Sequence, residues 1–543
     1  MVHAGLDGTL LDSSLNRRSV LGNGFKLAGL FSLAGLTGTK YGIGSALAQD
    51  STIEGTVTIP IASNPAPDPI TSTTGLSGIL LNKQLFGQLV RPSDVDLQPS
   101  PDLAESWELS EDGLTYTFHL RSGVTWHNGD PFTADDVKFT FDAILNPDVN
   151  AAFRRNLGPL TGCHVIDEST VELTLSQPYA PLLTMLGYNI MMMPKNVLEG
   201  QDLNSPTDFI ASPVGTGPYM WKEFVSGDHI TLVANTNYWD GAPQIGTCVY
   251  KILPDSNTQV AQLRTGEVDL VMIEPSQADA LEGVDGVVVN TATQTNIFYA
   301  SLNLANPLFE DQKVRQALTY ALDRQLIVDQ VLRGSGSVAT GPISPPMGWA
   351  FPEDQEPFPY DTDQALALLG EAGWALDGDT LKKDGEEFSF SIIVDAGNPT
   401  RGNIVLALQQ YWQQLGMKVE IESLDFNTWY TRSSGTEWDV SMNWWITPPD
   451  PDALTSGYAE GLSSGGYNNP DVNALFDQGR SALTPEERKP IYAQIQQAIY
   501  TDQPNIFIAY PNEFRAFSGT LENYASIGIR DCLYYTYKWT RQS

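Results

Sequence analysis

The stretch Pro99–Asp142, PSPDLAESWELSEDGLTYTFHLRSGVTWHNGDPFTADDVKFTFD, constrains the fold more than any other, because both secondary-structure periods occur in it in close succession. Tyr116, Phe118 and Leu120 alternate with Thr115, Thr117 and His119, the pattern of a half-buried strand. Ahead of them, Ser110-Glu-Asp-Gly113 is turn chemistry, and Gly113 is free to take a positive φ. Asn128-Gly-Asp-Pro131 breaks the chain again. Thr133 then opens a helix, since its side chain can cap while Asp136, three residues on, complements the helix dipole. The stretch holds no nucleophile, metal-ligand cluster or phosphate-cradling loop, so its residues read as scaffold.

Helix and strand patterns alternate along the rest of the chain, which points to an α/β protein. Thr170–Leu175 and His229–Ala234 alternate as strands. Ser256-Asn-Thr-Gln259 reads as a capping box, Gly266 closes that helix, and a strand follows over Val268–Ile273. An extended aromatic run occupies Thr295–Asn303. Val314, Ala317, Leu318, Ala321, Leu322 and Leu326 then recur at helical spacing and predict one continuous helix. Further on come a helix over Asp361–Ala372, a strand over Phe388–Val394, a helix over Asn403–Leu415 and a strand over Val419–Ser423. Thr484-Pro-Glu-Glu487 opens a last helix with cap, proline and box glutamate.

At 543 residues the chain is too long for one core, and two or three domains are expected. With 30 Lys and Arg against 65 Asp and Glu, a formal charge of −35, it will not seek nucleic acid or anionic lipid. Asn16-Arg-Arg-Ser-Val-Leu21, the apolar run Leu27–Leu36 and Ala46-Leu-Ala48 form, in order, a twin-arginine export signal with cleavage expected near Ala48. The apolar run is about half the length of a membrane span. Cys163, Cys248 and Cys532 are too far apart for a redox or zinc pair, and any disulfide among them is left open by the spacing. His119, His127, His164 and His229 show no metal-ligand spacing, and no resident metal or cofactor is expected.

Two enzyme motifs fail on context. Gly461-Leu-Ser463-Ser-Gly465 fits a nucleophile elbow, but no strand pattern leads into it and no histidine follows it. Gly334-Ser-Gly336-Ser-Val-Ala339 follows a helix pattern where dinucleotide binding needs a strand. Neither motif supports a catalytic function.

LAESWE, DGLTYTFHLR and GVTWHNGDPFTADDVKFTFD closely resemble family 5 extracellular solute-binding proteins, the peptide, nickel and oligosaccharide receptors of ABC importers. Pro213–Tyr219, Asn237–Gly241, KVRQALTYALDR at Lys313–Arg324 and Tyr467-Asn-Asn-Pro470 are similar to further segments of that family. The resemblance implies an α/β, two-lobe, periplasmic binding protein type II-like fold of the Venus-flytrap kind, with an extra domain inserted in lobe I. The implied divisions are 49–80, 210–294 and 506–543 for lobe I, 81–209 for the extra domain and 295–505 for lobe II. It further implies a monomeric, exported receptor that hands a peptide or small solute to a membrane permease. The ATPase would be a separate subunit.

The same resemblance suggests where ligand is held. The proline-rich loop Asn64–Pro69 runs along the family's cleft and contributes Asn64 and Asp68, while the lobe crossover contributes Asn296 and Tyr299. Met442–Asp452 is similar to the family's W-x-x-D-x-x-D-P loop, with Trp444 at the tryptophan, Asp450 at the final aspartate and Thr447 where peptide-binding members carry a carboxylate. That carboxylate forms a charge-assisted bond of roughly 1.5–3 kcal/mol with a peptide's ammonium group, which threonine cannot replace. Trp444, Trp445 and Tyr467 offer flat faces to a sugar ring or apolar side chain, and Asn443 and Asn468 offer amides. A peptide held through its backbone and an oligosaccharide stacked on tryptophan both remain open.

Overall fold

The structure, a computed structural model, describes residues 53–542 except 72–74, 447, 456, 460, 462, 464, 525–527 and 529–532. The export segment, Thr447 and Cys532 lie outside the described residues. Among the described residues no helix is long and apolar enough to cross a membrane.

Three sheets organise the chain. In the first, Thr56–Ile61 pairs parallel with Thr247–Ile252, which is followed by His229–Ala234 and Tyr219–Val225, both antiparallel to their neighbours. Val57, Ile59, Leu232 and Tyr250 are buried in its core together with Leu81 and Leu85 of the helix Gly75–Leu85. The turn Pro213–Tyr219 passes this helix so closely that a Cβ on Gly215 would lie 1.7 Å from the Leu85 carbonyl oxygen, and one on Gly217 would lie 2.2 Å from that of Gln84. Only glycine admits that approach.

The second sheet runs Ala104–Leu109, Thr115–Leu120, Thr170–Leu175, Leu160–Asp167, all antiparallel. As its alternation predicts, Thr115–Leu120 buries Tyr116, Phe118 and Leu120. They share a core with Val137, Phe141 and Ile144 from the helix Ala134–Leu145. Asp136 Oδ2 accepts from the Thr133 amide at 3.0 Å and Asp136 Oδ1 from the Lys195 amide at 2.9 Å, so one carboxylate fixes both the helix start and a distant loop. Gly113 closes its turn at φ 71°.

The third sheet has eight strands and is threaded by one of them, Asn505–Ser518. Its first half pairs with Asn296–Leu302 and Gly336–Val338, and its second half pairs with Leu270–Ile273 and Val287–Thr293. Asn296–Leu302 continues to Val440–Ile446, Ser389–Asp395 and Lys418–Leu424. The chain thus crosses between the halves at Gln294–Thr295 and again along Asn505–Ser518.

Three expectations are corrected. The helix Ser256–Thr265 is capped one residue earlier than the box suggested: Asp255 Oδ1 accepts from the Thr258 amide at 2.7 Å and from its hydroxyl at 2.6 Å. A carboxylate outcompetes a serine hydroxyl for the helix N-terminus. The helix over Val314–Leu326 is two helices, Gln312–Tyr320 and Arg324–Val331. Asp323 caps the second, and Arg324 turns inward to donate to the carbonyls of Ala339, Phe507 and Phe358, which leaves Leu326 exposed. The helix predicted from Asn403 starts at Pro399, capped by Asn398. Cys163 and Cys248 are buried free thiols, and desolvation pushes both pKa values up to about 12.

Candidate functional site

A cleft opens where the halves of the eight-stranded sheet meet. It takes in ≈ 790 Å³ counting its open mouth. On one side lie Met272, Glu274 and Gln277 with Asn512, Glu513 and Phe514. Asn398, Thr400, Arg401 and Trp444 lie on the other, with Gln294, Asn296 and Phe298 of the crossover between them.

Two helix starts approach each other across this cleft. Glu274 precedes Pro275, whose fixed φ suits the first helical position, and the Glu274 amide donates to Gln277 Oε1 at 3.0 Å. Asn398 stands in the same relation to Pro399, with Oδ1 accepting from the Arg401 amide at 2.9 Å. Across the gap, Thr400 Oγ1 donates to Glu274 Oε2 at 2.6 Å and Asn398 Nδ2 to Glu274 Oε1 at 3.4 Å.

Both arginines near the cleft are paired within the protein, whereas Glu274 is held by a hydroxyl and an amide and keeps its charge. The Arg401 guanidinium pairs with Asp395 and lies 3.6 Å above the Trp444 ring. Arg515 pairs with Glu513 at 2.7 Å. By contrast, among the described residues neither amide atom of Gln294 nor the Oδ1 of Asn296 has a hydrogen-bond partner, although all three are buried and Gln294 is only 2 % exposed. An orphaned buried amide costs about 1–3 kcal/mol, and these three atoms belong to two residues that line the cleft.

Of the residues singled out in the sequence, Asn296 and Trp444 line the cleft. Trp444 stacks on Trp429 at 5.1 Å and 22°. The Arg401 guanidinium and a parallel indole cannot share one face, so both faces of Trp444 are engaged. Asn443 spends its amide on Ser301 Oγ at 2.8 Å and the Ser441 carbonyl at 3.2 Å. Asp450, 3 % exposed, forms a two-pronged pair with Arg488 at 2.6 and 2.8 Å. Tyr467 is buried and donates to Asp502 at 2.7 Å, while Asn468 is exposed and accepts from Asn473 at 2.9 Å. Tyr299 packs in the core against Phe507, where burial raises its pKa. Asn64 is exposed and ties its loop to Ser226 and Gly227, and Asp68 is buried and closes a turn on Ile70 and Thr71. The side chain of Trp445, like all of Thr447, lies outside the described residues.

Glu274, Gln294, Asn398, Thr400 and Arg401 were not anticipated. The cap-then-proline pattern shared by Glu274-Pro275 and Asn398-Pro399 was a readable signal for two helix starts. Nothing in the sequence marks Gln294.

Comparison with known proteins places this geometry. The profile of bacterial extracellular solute-binding proteins, family 5 Middle, matches residues 98–466. The oligopeptide-binding protein AppA of Bacillus subtilis is 32% identical over 472 residues, covering 84% of this chain and 86% of the relative. Heme-binding protein A of Haemophilus influenzae is 29% identical, covering 82% and 84%. The structure of Bacillus subtilis AppA with a nonapeptide superposes with a TM-score of 0.79 at 29% identity, covering 91% of this chain and 100% of that one. NikZ of Campylobacter jejuni with Ni(L-His) gives 0.80 at 28%, covering 90% and 99%. With its two α/β halves, its crossovers and a cleft between them, the chain belongs to family 5 of the bacterial extracellular solute-binding proteins.

Proposed function

We propose that this protein is the receptor of an ABC importer, exported with its signal removed near Ala48, and that it captures a peptide between its lobes for delivery to a permease. The observation that carries the peptide reading is the cleft's polarity: its arginines are paired within the protein, while the Glu274 carboxylate and several carboxamides line it. A peptide backbone is the matching ligand, since each unit offers one donor and one acceptor and no net charge. The nonapeptide-bound relative has the same fold. Stacking a sugar on Trp444 requires Arg401 or Trp429 to leave its face, which weighs against the oligosaccharide alternative.

Ser463 serves its own loop: its hydroxyl accepts from the Tyr467 amide at 3.3 Å between the helices Pro451–Thr455 and Pro470–Ser481, and among the described residues no strand leads into it. Hinge closure around ligand gives the permease two shapes to distinguish. Sheet membership supports the lobe divisions, with Thr56–Ile61 and Thr247–Ile252 on one side and Ser389–Asp395 and Lys418–Leu424 on the other.

The test is native mass spectrometry of the purified protein for co-purified ligand. A thermal-shift screen follows, using peptides of increasing length, oligosaccharides, haem and Ni(L-His). Saturation at a hundred times Kd adds about 2.7 kcal/mol of stability. Shifts with peptides are expected; shifts confined to sugars, haem or the nickel chelate would sink the peptide reading.

A further inference from the structure

The charges around the cleft do not cancel. Arg401 is paired with Asp395 and Arg515 with Glu513, so each of those pairs is neutral. Glu274 is the exception. It is a half-buried carboxylate in the cleft lining, and its partners across the gap are the Thr400 hydroxyl at 2.6 Å and the Asn398 amide at 3.4 Å. Both partners are uncharged, and among the described residues no lysine, arginine or histidine pairs with it. Counting the lining groups with their ion-pair partners, the cleft holds one net negative charge. The Met442–Asp452 loop on the other side supplies no second one: Asp450 is engaged by Arg488, Asp452 by Arg480, and position 447 is a threonine.

We infer that Glu274 selects ligands that carry an alkylammonium group, which it holds in the cleft by a charge-assisted hydrogen bond. The inference rests on the peptide reading above and adds a charge requirement to it. An ammonium group has three donors and no acceptor, and a carboxylate can accept about four hydrogen bonds, so Glu274 keeps capacity beside the bonds it already makes. Thr400 Oγ1 gives its proton to Glu274 and retains lone pairs, so it accepts a second N–H from the same ammonium. Met272 and Phe514 line the Glu274 side of the cleft and offer apolar surface to the methylene stem of such a group. The same carboxylate repels an anionic ligand. Two sources present this chemistry, the amino terminus of a peptide and a lysine side chain. The chain's formal charge of −35 attracts any cation at long range, so the decisive comparison removes the one charge at Glu274.

Calorimetry at about pH 6.5, where an α-amino group is protonated, compares penta-alanine, N-acetyl-penta-alanine and N-acetyl-Ala-Ala-Lys-Ala-Ala. The proteins are the wild type, Glu274→Gln, which retains a carbonyl oxygen for Thr400, and Glu274→Asp, which retains the charge. On the wild type, penta-alanine or the lysine peptide is expected to bind at least tenfold tighter than N-acetyl-penta-alanine, and whichever does so names the source. On Glu274→Gln that gap should close to within threefold, while Glu274→Asp should keep a gap larger than threefold. Equal affinities for all three peptides on the wild type overturn the inference and leave the peptide reading standing. A tenfold gap that survives in Glu274→Gln overturns it too, because the field of the whole chain then does the selecting. A gap that closes equally in Glu274→Asp identifies a structural side chain and overturns it as well. If none of the three peptides binds the wild type, the proposed function falls with the inference.

Discussion

The sheet built from Ala104–Asp167 and Thr170–Leu175 and the crossover at Gln294–Phe298 treat polar groups in opposite ways. In the first, Asp136 alone accepts from Thr133, Lys195 and the Trp126 indole, and among the described residues between Ala104 and Leu175 no buried side-chain polar atom lacks a partner. In the second, three amide atoms of Gln294 and Asn296 have no partner among the described residues. The first region is finished as folded; the second leaves polar atoms unmatched beside the cleft that the proposed function gives to a ligand. Stability and function are therefore separable by mutation.

The largest expected effect lies in the finished region. Phe118 is fully buried in the second sheet, and Phe118→Ala is expected to cost about 3–5 kcal/mol in denaturant unfolding. Peptide affinity per folded molecule should stay unchanged; a tenfold loss would show that the regions are coupled.

His127 joins the second sheet to the first. Its Nδ1 accepts from the Gly215 amide at 3.1 Å, so the proton sits on Nε2, 3.0 Å from the Gly217 carbonyl. Burial lowers its pKa to about 4. Unfolded histidine, near 6.5, binds protons between those values while the folded one does not, so stability is full above pH 6.5 and declines as pH falls towards 4. The loss is about 3 kcal/mol. His127→Gln should flatten that part of the wild type's stability–pH curve, and identical slopes for the two proteins would refute the assignment.

A smaller effect is expected at the cleft. Glu274→Ala removes both bonds from Asn398 and Thr400 across the gap, each worth about 1 kcal/mol. Solution scattering should show a larger radius of gyration without ligand, and peptide affinity should fall roughly tenfold. Unaltered scattering and affinity together would mean that these bonds do not hold the halves together. Smallest of all, Asp255→Ala removes the cap of Ser256–Thr265 at a cost of about 1 kcal/mol, with no change in peptide affinity. A binding defect there would extend the ligand site beyond the crossover.

What was legible in the sequence follows the same division. The strand Thr115–Leu120 and the helix after Thr133 were readable because their pattern, turn and cap lie within a few residues of one another. The α/β architecture followed from repeated local signals of that kind. The cleft was not readable, because Glu274 meets Thr400 and Arg515 faces Met272 only after the chain has folded across hundreds of residues. Asp450 shows the hazard. A D-P motif suggested a ligand carboxylate, while Arg488, on a helix of its own, supplies the bonds that hold it inside. Arg324 broke a predicted helix for a related reason: three carbonyls from distant segments outweighed local periodicity.

The strand Asn505–Ser518 has a consequence for how the molecule is made. Leu270–Ile273, Val287–Thr293, Asn296–Leu302 and Gly336–Val338 all pair with it, yet it leaves the ribosome after every one of them. Until its last turn of synthesis is reached, four earlier strands present edges with no neighbour on that side. Their assembly waits until residues 505–518 have been made, so the nascent chain must be kept from premature strand pairing until then.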